Sequence, residues 1–169
     1  MGEAQVTVRA LSASSGPAAV AVINTAAEWY AEFLPPSEVH EQEMTLETWA
    51  DEARRMTWYG AFDGVDLVGV MGLEYAGDAV LLRHAYVLPG RQRQGIAAIL
   101  RDRLEREVNG VGRIIVGTYA ANYKARAALE KAGYQPSPDP GAVLRRYYDI
   151  PEDRLQSSVI YEKHLDRDQ

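Results

Sequence analysis

The sequence predicts an α/β protein of α+β character: one mixed, largely antiparallel sheet flanked by helices, in a single domain spanning residues 1–169. Three observations carry this. Strand-like runs from Trp58 to Phe62, Leu67 to Tyr75 and Val80 onward are separated only by Asp63-Gly64 and Gly77-Asp78, turn signals that join antiparallel strands. The third run, Val80 to Ala98 (VLLRHAYVLPGRQRQGIAA), passes through a Pro-Gly turn into the start of a helix. Beyond that helix, Arg113 to Tyr119 (RIIVGTY) carries the continuous Ile-Ile-Val run of a strand inside a sheet.

The other elements follow in chain order. Gln5 to Leu11 (QVTVRAL) alternates apolar and polar residues, the period of a strand with one buried face. Ser14-Ser15-Gly16-Pro17 is a helix entry, with capping residues ahead of a first-turn proline. The helix is expected to run through Val20, Ile23, Ala27, Tyr30 and Phe33 to Pro35-Pro36. Ser37 to Met44 is acidic and aperiodic, a loop or a bent short helix. Thr45 then caps a second helix whose inner face would be Leu46, Trp49, Ala53 and Met56. In the helix after Gly95, Ile96, Ile99, Leu100, Leu104 and Val108 fall along one side. Arg101, Asp102, Arg103, Glu105, Arg106 and Glu107 occupy the other. Asn122 opens a further helix with Ala125, Ala128, Leu129 and Ala132 on one face, and Gly133 closes it. A short strand at Tyr134-Gln135 dissolves into Pro136, Pro138, Pro140 and Gly141. A connection through Leu144 to Arg154 leads to a closing strand, Ser157 to Leu165.

Composition narrows the function classes. With 47% hydrophobic and 25% charged residues, the chain has the balance of an ordinary globular protein. The absence of cysteine removes disulfides, thiolate metal sites and a cysteine nucleophile, and is compatible with a reducing cytoplasm. No apolar run approaches the roughly 20 residues of a membrane span, and no basic-then-apolar signal opens the chain. A net charge of −6 argues against nucleic-acid partners and suits a cationic or neutral small substrate. His40, His84 and His164 are scattered, and His40-Glu41-Gln42-Glu43-Met44 lacks the second histidine of H-E-x-x-H, so no metal is expected.

The Val80–Ala98 stretch is where chemistry concentrates. The first backbone N–H groups of a helix lack intrahelical partners and carry about half a positive charge, which suits a phosphate-bearing cofactor. Gly95 and Ala97 are small enough for phosphate oxygens to come close, and Gln92, Arg93 and Gln94 give a polar, partly cationic rim. Neither G-x-G-x-x-G nor the P-loop pattern is present.

Gln92-x-x-Gly95-x-Ala97 after a strand resembles the coenzyme A loop of the GNAT superfamily of acyl-coenzyme A-dependent N-acetyltransferases. Asn122-x-x-Ala125 with Glu130-Lys131-Ala132-Gly133-Tyr134 resembles the family's second motif, and RHAYV, VGTYAAN and the C-terminal stretch look like a small bacterial branch. The element order also matches, over nearly the whole chain. The resemblance implies acetyl-CoA as co-substrate, bound in a V-shaped gap beside the strand that precedes the loop. Backbone groups of Ala85, Tyr86, Val87 and Leu88 would pair with pantetheine. The N–H groups of Arg93, Gln94, Gly95, Ile96, Ala97 and Ala98 would take the diphosphate, and Asn122 would hydrogen-bond the pantetheine arm. Asn122 also suits a plain helix N-cap.

The implied reaction is direct attack of a neutral amine, on a small molecule or a protein, upon the thioester. At pH 7 a lysine-like amine of pKa about 10.4 is roughly 4–5 kcal/mol from its neutral form, an α-amine only about 1 kcal/mol. Base candidates are His84, mid-strand near the gap, then Glu74 and Glu43. Strand alternation places Arg83 and His84 on opposite faces, one of them toward substrate. Backbone N–H groups of Tyr86 or Val87 are candidate oxyanion donors. Tyr30, Glu43 and Arg83 are candidate acceptor-pocket residues. Many relatives carry a tyrosine seven residues after the asparagine, as acid for the departing thiolate. Leu129 stands there in this chain, leaving Tyr119, Tyr123 or water for the role. That departure also motivates a second expectation, an acyl-CoA binding or sensing domain without turnover. A homodimer through the closing strand is a further expectation.

Overall fold

The computed structural model describes residues 5–28, 43–92, 94–147 and 158–165. Seven strands form one sheet: β1 (Thr7–Ala10), β2 (Met56–Asp63), β3 (Asp66–Ala76), β4 (Ala79–Val87), β5 (Arg113–Tyr119), β6 (Gln135–Pro136) and β7 (Ser158–His164). Their spatial order is β1-β2-β3-β4-β5-β7-β6. Every neighbouring pair is antiparallel except β4 and β5. The helices are α1 (Gly16–Ala27), α2 (Leu46–Glu52), α3 (Ile96–Glu107), α4 (Tyr123–Lys131) and α5 (Pro140–Tyr147). No helix among the described residues is long and apolar enough to cross a membrane.

Three packed clusters show how the faces divide. Val80, Leu82, Met71 and Leu73 pack with Ile96, Leu100 and Leu104 of α3 and Leu129 of α4. On the opposite face, Trp58, Val70 and Tyr86 pack with Ile23 of α1 and Trp49 of α2. Leu81 and Ile115 meet Val143 and Leu144 of α5 on that second face. Helix α3 approaches the sheet closely over Gly69, where an added Cβ would stand 3.2 Å from both Ile96 and Leu100.

The expected elements recur with some corrections. The run beyond Ala27, including Tyr30 and Phe33, lies outside the described residues. In α2, Thr45 does cap, its hydroxyl accepting from the Thr48 N–H at 3.0 Å. Its inner face is the expected one only in part, Trp49 and Met56 being buried together. Leu46 is 49% exposed and Ala53 is exposed, Met56 opens β2, and the buried side chains are Trp49 and Glu52. The expected connection after Pro138 instead contains α5. Asp139 accepts from the Ala142 N–H at 3.2 Å, Pro140 occupies the first turn, and Val143 and Leu144 bury against the sheet.

Candidate functional site

Strands β4 and β5 pair only at Val80–Ile114, Leu81–Ile115 and Leu82–Val116. Past Leu82 and Val116 the two diverge. Strand β4 stays bonded to β3 as far as Val87, and β5 stays bonded to β7 as far as Tyr119. Beyond Leu82 and Val116 the facing edges of β4 and β5 do not pair with each other, and such a split is one an extended ligand can join. A cavity of about 320 Å³ runs through the split. One wall is α3 and α4 (Ala97, Arg101, Asn122, Ala125, Leu129), and the opposite side holds Arg83, His84, Glu43, Leu144 and Ser158. Val116 to Tyr119 and Leu82 to Tyr86 line the strands between.

At the outer end, α3 begins at Gly95, whose φ of 78° lies in the left-handed region. No side chain caps this helix, and nothing stands within 4 Å of where a Gly95 Cβ would be. The first-turn N–H groups of Ile96, Ala97 and Ala98 are left for an anion. Arg91 is held aside, its Nη1 donating to Asp63 Oδ2 at 2.8 Å and its Nε to Gln94 Oε1 at 3.1 Å. Gln92 and Gln94 are exposed at this rim, and Arg93 lies outside the described residues.

The inner end is set by a bulge. Val70 pairs with Tyr86 and Gly72 with Arg83, so His84 and Ala85 together oppose Met71. His84 takes a φ of 55°, the one described non-glycine residue with positive φ. Histidine is among the types that tolerate that region, at a cost on the order of 1–3 kcal/mol. The extra residue resets the alternation. Val80 and Leu82 face α3, whereas Tyr86 packs with Trp49 and Trp58 on the α1–α2 face.

The expectation that Arg83 and His84 would face opposite ways fails for that reason. Both reach Glu52 of α2. His84 Nε2 lies 2.8 Å from Glu52 Oε2, and Arg83 Nη2 lies 3.5 Å from Glu52 Oε1. The Nε2–Oε2 contact is at ion-pair distance but off hydrogen-bond alignment, and both atoms are sealed from solvent. The His84 ring stacks on Trp58 (5.2 Å, 27°), which stacks on Trp49 (5.5 Å, 17°). Burial opposes ionisation of Glu52. The contact with His84, together with the charges of His84, Arg83 and Arg55, outweighs it and holds the carboxyl below the usual range.

The other sequence candidates are placed as follows. Glu74 accepts from Arg83 Nη1 at 2.8 Å and serves the cluster as that arginine's second carboxylate. Glu43 and Tyr119 line the cavity. Tyr123 does not: it is 73% exposed at the start of α4, with Arg126 over its ring. Asn122 caps α4, its Oδ1 accepting from the Ala125 N–H at 3.2 Å, while its side chain also lines the cavity beside Thr118. Leu88 N–H donates to Val68 O at 3.0 Å and so is already used. Tyr30 lies outside the described residues. Among the described residues no three His, Asp or Glu side chains gather as metal ligands.

Two residues escaped the sequence reading. Glu52 gives only one sequence signal, its place three residues after Trp49 on a helix. Arg101 was assigned to the solvated face of α3, yet it is 9% exposed and lines the cavity one turn after Ala97.

Residues 23–134, more than half of the chain, match the Acetyltransferase (GNAT) family. No curated protein matches. Among solved structures, the chain is similar to the PaiA N-acetyltransferase of Thermoplasma acidophilum in complex with coenzyme A. The identity is 16%, the TM-score 0.69, with 96% of this chain and 100% of that one covered. It is similar also to the ribosomal-protein-S18-alanine N-acetyltransferase of Escherichia coli, at 20% identity and a TM-score of 0.70, covering 98% and 97%. A GNAT-family acetyltransferase of Staphylococcus aureus gives 15% identity and a TM-score of 0.72, covering 96% and 100%. At such identities the likeness is one of fold.

Proposed function

The chain belongs to the Acetyltransferase (GNAT) family, and we propose that it transfers an acetyl group from acetyl-CoA to an amine, with His84 as base. The observation that carries this is the split between β4 and β5, which joins the uncapped end of α3 to the His84–Glu52 pair through one cavity. The residues present fit an acyl-CoA: a left-handed Gly95 with open space above it, small Ala97 and Ala125, and a β4 edge that has parted from β5.

In this reading the N–H groups of Ile96 to Ala98 hold the diphosphate, with Gln92, Arg93 and Gln94 around it. The edge of β4 from Ala85 to Val87, with Asn122 opposite, pairs the pantetheine amides. The Tyr86 or Val87 N–H faces the thioester oxygen and stabilises the charge that develops there, as preformed donors do in acyl transfer. Glu52, 2.8 Å from Nε2 of His84, favours the tautomer that carries its proton there and leaves Nδ1 to take the proton of the attacking amine. Arg83, Glu43 and Glu74 border the acceptor side. The acceptor is a small-molecule amine or a protein amino group, and the absence of cysteine fits a reducing cytoplasm.

The test is thiol release from acetyl-CoA across a panel of α-amines, polyamines and lysine peptides. Turnover with at least one amine, lost in His84→Ala, is expected. Tight acetyl-CoA binding with no turnover on any amine would overturn the transferase reading. It would favour instead an acyl-CoA sensing domain, the alternative to which the apolar Leu129 in the cavity wall lends support.

A further inference from the structure

Arg101 is a largely buried arginine whose guanidinium has no ion-pair partner among the described residues. Its residue exposure is 9%, and its Nε is sealed from solvent with no hydrogen-bond partner. Among the described residues it makes no ion pair or hydrogen bond, although its charge acts on the Tyr134 hydroxyl. The carboxylate one turn further on, Glu105, is already engaged: Tyr134 donates to its Oε1 at 2.7 Å, and Lys163 Nζ lies 3.3 Å from its Oε2. A buried cation left in this state is costly, and nothing in the packing of α3 requires one. The wall around it is apolar, made of Leu82, Ala97, Ala125, Ala128 and Leu129.

Its depth in the cavity identifies the anion it awaits. Gly69 serves as a level mark: a Cβ there would stand 3.2 Å from Leu100 and 3.4 Å from the Tyr86 carbonyl oxygen. Arg101 directly follows Leu100, so its Cα lies level with the end of the β4 bulge. It is also about 9 Å along the helix from Gly95, at 1.5 Å per residue. The diphosphate end of the site is therefore behind it. The thioester end, where Tyr86 and His84 converge, is alongside.

Resting on the transferase reading above, we propose that Arg101 is a catalytic residue that stabilises the departing thiolate of coenzyme A. In the step itself the C–N bond forms and the C–S bond breaks. The electron pair of the C–S bond stays on sulfur, and the amine proton goes to Nδ1 of His84. The guanidinium cannot supply a proton at neutral pH, but it offsets the negative charge where Leu129 offers none. The sulfur takes its proton from water on release.

The test reads the sulfur directly. Coenzyme A bound to the wild-type protein should ionise at least one pH unit below free coenzyme A in the same buffer, followed by the ultraviolet thiolate band. The affinity of wild type for coenzyme A relative to desulfo-coenzyme A should also rise about tenfold between a pH well below both thiol values and one well above them, one unit being tenfold. Arg101→Leu should abolish both differences and lower kcat about 10- to 100-fold, with KM for acetyl-CoA within about twofold. Arg101→Lys should restore part of the loss. The wild-type comparison needs no variant, so a variant that fails to fold leaves the test intact. An ordinary thiol pKa in the wild-type complex, or equal weakening of coenzyme A and desulfo-coenzyme A in Arg101→Leu, would overturn the assignment. Either result can occur with turnover intact, whereas failure to bind coenzyme A at all would sink the transferase reading first.

Discussion

The two ends of the cavity are built from different materials. The outer end is main chain: a helix start without a side-chain cap, a glycine with φ of 78°, and the strand edges that part where β4 and β5 diverge. The inner end is side chain: His84, Glu52, Arg83 and Glu74, drawn from β4, α2 and β3 and held at 2.8–3.5 Å of one another. Main-chain recognition depends on shape and tolerates many side chains. The inner cluster depends on each charge having its partner, so single substitutions there should disturb chemistry more than binding.

That contrast orders the predictions. The largest effect is expected for His84→Ala, which should lower kcat/KM about 10²- to 10⁴-fold while acetyl-CoA affinity stays within a few fold, as read by steady-state kinetics and calorimetry. Gly95→Val should do the reverse. A β-branched residue at φ 78° is strained by roughly 1–3 kcal/mol and crowds the first-turn N–H groups. Its Kd for acetyl-CoA should rise at least about tenfold, with the rate of the bound complex less affected. Equal effects of both variants on Kd and kcat would erase the distinction between the two ends.

Glu52→Gln should be intermediate, with a kcat loss of about tenfold, the low end of what a positioned proton-transfer group contributes. It also carries a pH signature. Because the folded carboxyl is held below its usual range, the stability it contributes is complete above about pH 4.3, the ordinary glutamate value. That contribution is lost as pH falls through the lowered folded value. Thermal melts from pH 7 down to pH 3 should show a shallower acid decline in the variant than in the wild type. The smallest effect is expected for Tyr123→Ala. The residue is 73% exposed and off the cavity, so stability should change by less than about 0.5 kcal/mol and turnover hardly at all.

What could be read in advance follows the same division. The outer end rests on local signals. Gly95 ahead of a 3.6-period apolar stripe announced the start of α3, and Asn122 and Gly133 announced both ends of α4. The Ile-Ile-Val run fixed β5 at Arg113–Tyr119. Proline misled where it was crowded. Pro136, Pro138 and Pro140 read as coil, although Asp139 with Pro140 is a sound helix start and α5 follows.

The inner end was largely hidden because tertiary pairing creates it. No glycine or proline marks the bulge at His84–Ala85, so strict alternation put Arg83 and His84 on opposite faces. Glu52 is buried where His84 and Arg83, both brought by β4 from far along the chain, meet it beside its near neighbour Arg55. Arg101 sits on the seam between the apolar and charged stripes of α3, where periodicity alone cannot separate solvent from cavity.

The central claim is that the gap between β4 and β5 receives the cofactor from the α3 end inward. Amide chemical shifts of the ¹⁵N-labelled protein, followed during titration with acetyl-CoA, test it most directly. The account predicts saturable shifts at Ile96, Ala97 and Ala98 together with Ala85, Tyr86 and Val87, and none along β1 at Thr7–Ala10. Saturable shifts that spare both groups and cluster elsewhere would contradict it.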